Sequence, residues 1–108
     1  MEELLDKAEV REAEVFVNYV NLGEVYHIVA RELGTSKANE AVATVKTWPV
    51  KFEEVNECIA LSAARVKAEH SLAYADAFVV ATAIDKKGTI VTGDEEFEGV
   101  YPHILWIR

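Results

Sequence analysis

The stretch LAYADAFVVATAIDKK, Leu72 to Lys87, constrains this chain more than any other part. Its middle is apolar nearly all round: Thr82 alone interrupts the run from Ala77 to Ile84. A helix with no polar face has to be covered on every side. The run is far short of the ~18 residues of a membrane span, so it reads as a buried helix of a folded domain. Ser71 is placed to open it and Gly88 to close it as the C′ residue. Asp76 sits in its first turns, between Tyr74-Ala75 and Ala77-Phe78. A carboxylate amid such sequence is costly unless something compensates its charge.

The segments around this helix alternate in type. Residues 2–8, EELLDKA, read as a helix with Leu4, Leu5 and Ala8 on one stripe. Ala13 to Val20, rich in β-branched and aromatic residues, reads as a buried strand. Asn21 suits an N-cap, and Leu22 to Leu33 is an amphipathic helix that stops at Gly34. Thr35 or Ser36 then caps a helix presenting Ala38, Ala41, Val42 and Val45, which ends near Trp48-Pro49. Val50 to Val55 is a short strand, and Glu57 to Glu69 is helical through Ile59, Ala60, Ala63 and Val66. Thr89 to Thr92 and Ile104 to Ile107 are short buried strands. Strands separated by helices predict an α/β fold with a parallel, helix-covered sheet.

Composition bounds the rest. At 108 residues and 51% apolar, the chain is expected to form one domain, residues 1–108, with a real core. One cysteine excludes a disulfide framework or a cysteine-built zinc site, and together with the lack of a signal peptide it points to the cytoplasm. The net charge of −8 argues against holding nucleic acid by a global positive field. It leaves room for an enzyme whose carboxylates hold metal ions that in turn meet phosphates. Absence of Gln and 28% charged residues suggest a thermophilic source.

In an open parallel sheet, ligands bind beyond the carboxyl ends of the strands. Three acidic residues are predicted at that edge: Glu24, in the first turn after the strand ending at Val20; Asp76; and Asp94, two residues past TIVT. Each has an ordinary alternative: a capping box for Asn21-x-x-Glu24, helix-dipole complement for Asp76, turn chemistry for Asp94. Their convergence favours a cation site, and hard oxygen ligands select Mg²⁺ or Mn²⁺. Glu95, Glu96 and Glu98 extend the acidic turn as solvated groups, with Glu95 or Glu96 able to add an outer ligand. His27, His70 and His103 lack ligand spacing, and Cys58 reads as a core thiol. Ser62 and Ser71 lack a nucleophile elbow. There is no phosphate-cradling or dinucleotide-binding glycine motif, and aromatics do not interleave with basic residues.

The stretch YADAFVVATAIDKKGTIVTGDEEFEGV, followed by ILWI, resembles the C-terminal half of PIN-domain proteins, in particular VapC-type toxins. AEVFVNYVNLGEVYHIVARELG resembles that family's second strand and the helix bearing one of its acidic residues. The likeness runs from about Glu2 to Ile107. It implies a metal-dependent endoribonuclease, the toxin of a toxin–antitoxin pair, with RNA as substrate, an antitoxin as partner and Mg²⁺ or Mn²⁺ as cofactor. Glu24, Asp76 and Asp94 match three of the family's four acidic residues, and Thr92 matches a supporting hydroxyl. Asp76 and Asp94 would bind the metal; Glu24 would bind a metal or orient the attacking water.

The sequence departs from that pattern at its start. PIN domains open with a hydrophobic central strand ending in Asp, and nothing of that kind precedes the first helix here. Leu4-Leu5-Asp6 lies in a helix-like run, about seven residues before the next strand, so Asp6 reads as a surface helix residue. The resemblance therefore implies that the first strand, the helix after it and the first metal-binding Asp are missing. A late start assignment, a truncated descendant, or completion by a second copy would each account for it. Exposed edges beside a missing central strand are an aggregation hazard, so a stable product implies oligomerisation or rearrangement, with at least a homodimer expected. An inactive PIN remnant that binds or oligomerises is the alternative function; a phosphoacceptor receiver is a weaker one.

Overall fold

The computed structural model describes residues 2–9 and 14–107. Its elements are α1 (Glu2–Glu9), β1 (Phe16–Asn18), α2 (Tyr19–Leu33), α3 (Thr35–Val45), β2 (Lys51–Glu53), α4 (Glu57–Glu69), α5 (Tyr74–Lys86), β3 (Ile90–Thr92) and β4 (Ile104–Trp106). A 3-10 turn, Glu95–Phe97, lies between the last two strands. The order of helices and strands is the one expected, and the class is α/β with parallel strands. Two compact units divide the chain at Glu54 and Val55.

In the first unit, β1 and β2 pair in parallel, with Phe16 opposite Lys51 and Asn18 opposite Glu53. Tyr19 stacks on Phe52 with ring centroids 5.5 Å apart. The expected strand from Ala13 to Val20 is shorter: Ala13 lies outside the described residues, and Asn18 ends the strand. The Asn18 carboxamide accepts a hydrogen bond from Val20 N at 2.7 Å and turns the chain into α2 three residues before Leu22. A satisfied cap overrides the β-propensity of Tyr19 and Val20. Asn21, the expected N-cap, therefore lies inside the helix, which also removes the capping-box alternative for Glu24. Gly34, at φ 93°, ends α2 and is also the N-cap of α3, so neither Thr35 nor Ser36 caps it. Helices α2 and α3 pack together, with Ala38 fully buried. Asp6 is exposed on α1.

In the second unit, Asn56 caps α4 by accepting from Ile59 N at 2.9 Å. Ile59, Ala63 and Val66 bury one stripe of α4, which packs on α5. Cys58, expected in the core, is exposed: it lies one residue, about 100° of helix, off that stripe. Helix α5 begins at Tyr74 rather than at Ser71, because His70 to Ala73 stays non-helical and plugs Leu72 into the interior. Ala77, Phe78 and the run Val80 to Ala83 are buried, so the helix is covered nearly all round, as its sequence demands. Thr82 is accommodated by donating to Phe78 O at 2.8 Å. Ile84 is the exception, 49% exposed. The left-handed residue closing α5 is Lys87, one before the expected Gly88, and Gly88 N donates back to Ala83 O at 2.9 Å. Strands β3 and β4 pair in parallel, Thr92 opposite Trp106.

Candidate metal centre

The acidic turn after β3 is fixed by a relay of local hydrogen bonds. Thr92 Oγ1 accepts from Asp94 N at 3.0 Å, and Asp94 Oδ1 accepts from Glu96 N at 2.9 Å. The second bond caps the 3-10 turn, and buried Phe97 anchors that turn below. Gly93 lets the chain enter it: a Cβ at this position would meet Ile107 O at 2.9 Å, too close for any side chain. On the facing element, Asp76 is the third residue of α5, half-buried, in the turn where the helix dipole favours a negative charge.

These two elements bring three carboxylates together. One oxygen each from Asp76, Asp94 and Glu96 lies within 4.8 Å of the others. Two unit charges about 4 Å apart repel by about 1 kcal/mol in bulk water and by about 4 kcal/mol in the effective dielectric near a protein surface. Three such groups on two rigid elements make a place where a cation gains what the carboxylates lose by crowding. Oxygen-only donors, two of them solvent-exposed, suit a hard divalent ion that keeps part of its water shell.

Of the residues singled out from sequence, Asp76 and Asp94 meet in this cluster, and Thr92 supports it through the Asp94 amide. Glu96, expected only as a solvated or outer group, contributes an oxygen beside them. Its place follows from the i, i+2 relation to Asp94, whose side chain accepts its N–H; Glu95 and Glu98 are exposed outside the cluster. Glu24 belongs to the first unit, half-buried in the second turn of α2. His27 and His103 are exposed, the latter edge-on to Tyr101, and the backbone N–H of His70 closes α4.

The family model for the PIN domain matches residues 1–101, across both units. The chain belongs to the PIN-domain family. PIN domains are generally nucleases and generally use a divalent metal. Among solved structures, the chain is similar to one described as a toxin–antitoxin complex from Klebsiella pneumoniae, at 18% identity and a TM-score of 0.59. The similarity covers 82% of this chain and 69% of that one, and it shows a shared fold. No curated protein matches the chain. No helix of the described residues is long and apolar enough to cross a membrane.

Proposed function

We propose that this PIN domain is a metal-dependent endoribonuclease, the toxin of a cytoplasmic toxin–antitoxin pair. The observation that carries the reading is the Asp76/Asp94/Glu96 cluster, held by a prearranged turn at the carboxyl end of a parallel strand. Asp76 and Asp94 would hold Mg²⁺ or Mn²⁺ directly, Glu96 directly or through water. Bound there, the ion would lower the pKa of a coordinated water and offset charge developing on the phosphodiester. Hydrolysis joins the water oxygen to phosphorus and breaks one bridging P–O bond, whose oxygen takes up a proton. With a net charge of −8, the chain also needs the metal for a second reason, because a cation lets an acidic protein approach a polyanion. Thr92 and the Asp94–Glu96 bond hold the ligands in place, so the site need not reorganise as it loads. Glu24 is assigned a metal-binding or water-orienting role by the family resemblance.

The structural neighbour's description favours an antitoxin as partner. Self-association is the companion proposal: α2 exposes Val25, Ile28 and Leu33, a face suited to burial against a second copy. Light scattering should then give at least a dimer at micromolar concentration; a strict monomer refutes it.

One observation favours a second reading, a binding module without activity. Asp6, the aspartate of Leu4-Leu5-Asp6 ahead of β1, is exposed on a helix. Cleavage of mixed-sequence RNA with Mn²⁺ or Mg²⁺, beside EDTA and Asp94→Asn controls, decides between them. Cleavage lost in both controls supports the nuclease. No cleavage with either metal, with a tight antitoxin complex, supports the binding module.

A further inference from the structure

The carboxyl end of β4 lies beside the metal-centre turn. Thr92 is in register with Trp106, and Ile107 N donates to Thr92 O at 3.0 Å. Neighbouring strands run about 4.8 Å apart, so Trp106 is one strand over from the residue two places before Asp94. Two grooves share this tryptophan. One, of ≈ 420 Å³, is lined by Gly93, Glu95, Glu98, Trp106 and Ile107. The other, of ≈ 440 Å³, adds Tyr101 and Pro102 and again has Glu98 and Trp106 in its wall.

The chemistry of the walls restricts the occupant. Glu95 and Glu98 line the first groove and would repel a phosphate, so it does not track the nucleic-acid backbone. An indole offers a face on which any base can stack, and carboxylates accept hydrogen bonds from exocyclic amines. Trp106 is half-buried, which fixes the ring while leaving part of it accessible. We infer that this groove seats a nucleobase of the RNA substrate next to the metal centre, Trp106 stacking on the base and Glu95 or Glu98 accepting from the exocyclic amino group of adenine, cytosine or guanine. Uracil alone of the four bases has no exocyclic amine and presents two carbonyl oxygens instead, so carboxylates select against it. The inference rests on the reading of the chain as an RNA nuclease and adds a base preference to it.

The test uses the full chain carrying Trp48→Phe, which leaves Trp106 as the sole tryptophan. Its fluorescence is titrated with AMP, CMP, GMP and UMP in Mg²⁺, with inorganic phosphate as control. Quenching by AMP, CMP and GMP at lower concentration than by UMP, and none by phosphate, is the expected result. On the otherwise unaltered chain, calorimetry should show AMP bound roughly 5- to 150-fold more weakly by Trp106→Leu, the span associated with stacking one base on an aromatic ring. Glu95→Gln with Glu98→Gln, two exposed positions that do not threaten folding, should erase the preference over UMP. Equal quenching by all four nucleotides, quenching by phosphate, or no quenching overturns the inference. Mn²⁺ binding and RNA cleavage are read separately: a chain that binds Mn²⁺ and cuts RNA without base-dependent quenching keeps its nuclease reading and loses this one.

Discussion

The two units are built from similar parts, a pair of packed helices and a pair of parallel strands, yet they differ in what they bury. In the second, α4 buries Ile59, Ala63 and Val66, α5 buries residues on nearly every side, and Leu72, Ile90 and Phe97 complete the interior. In the first, the buried described residues are Asn18, Leu22 and Ala38, while Tyr19, Val25, Ile28 and Leu33 of α2 stand exposed. The carboxylate cluster lies in the unit with the continuous interior. Three like charges within 4.8 Å stay together only if their supports cannot relax apart. A helix buried on nearly every side and a turn pinned by Phe97 meet that condition; an amphipathic helix with an open face does not.

The largest expected effect tests whether the cluster is functional or merely tolerated. Asp94→Asn should lower Mn²⁺ affinity and RNA cleavage by at least about a hundredfold, since losing even a supporting group of a metal site costs about 10- to 100-fold. Its melting temperature without metal should hold or rise, because one charge leaves a crowded set and the Asn oxygen still accepts from Glu96 N. Activity bought with stability has this signature. A lower melting temperature with unchanged Mn²⁺ affinity would make Asp94 a turn cap only.

Next in size is the contrast between interiors. Phe78→Ala should cost about 3–5 kcal/mol by denaturant unfolding, the range for emptying an aromatic core position. Ile28→Ala, at a position 43% exposed, should stay within about 0.5 kcal/mol in a monomer. A much larger cost at Ile28 that grows with protein concentration would show that a second copy covers α2, and would erase the contrast between the units.

These contrasts also explain how much of the fold is legible in the sequence. Helix α5 stands out because covering on every side leaves no polar face, and a pattern of that kind has few alternatives. Element order is legible for the same reason, as apolar periodicity reports burial. Boundaries are less so. Asn18 and Asn21 are the same residue type three apart, and which one caps α2 depends on where β1 stops pairing with β2, a contact 35 residues away in sequence. Cys58 escapes a reading by pattern because one residue of helical phase separates the buried stripe from solvent. Asp76 and Asp94 can be singled out from their surroundings, whereas the place of Glu96 depends on the hydrogen bonds that wind the turn.

The two asparagine caps, Asn18 and Asn56, give a smaller test. Both units enter a helix through one, but Asn18 is 2% exposed and Asn56 is exposed. Capping residues replaced by Ala cost about 0.5–2 kcal/mol. Asn18→Ala should fall at the upper end, because water cannot readily replace the lost partner, and Asn56→Ala at the lower end. Equal losses, measured by denaturant unfolding, would mean that burial does not distinguish the two helix starts.

The smallest effects, opposite in sign, lie at the helix ends. Helix α2 stops on Gly34 at φ 93°, helix α5 on Lys87 at φ 52°. A side chain in left-handed backbone costs roughly 1–2 kcal/mol, a penalty glycine escapes. Gly34→Ala should therefore destabilise by about 1 kcal/mol even though nothing lies within 4 Å of the added Cβ. Lys87→Gly should stabilise by up to about 1 kcal/mol, less the entropy that glycine adds to the unfolded chain. Tyr101 limits that gain: its hydroxyl donates to Gly88 O at 2.7 Å and lies 3.3 Å from Ala83 O, so the end of α5 is already tied down. Tyr101→Phe combined with Lys87→Gly separates the contributions. If the glycine stabilises more once the hydroxyl is gone, the tyrosine had been holding the strained residue in place; if the two changes simply add, backbone geometry and side-chain tether act independently.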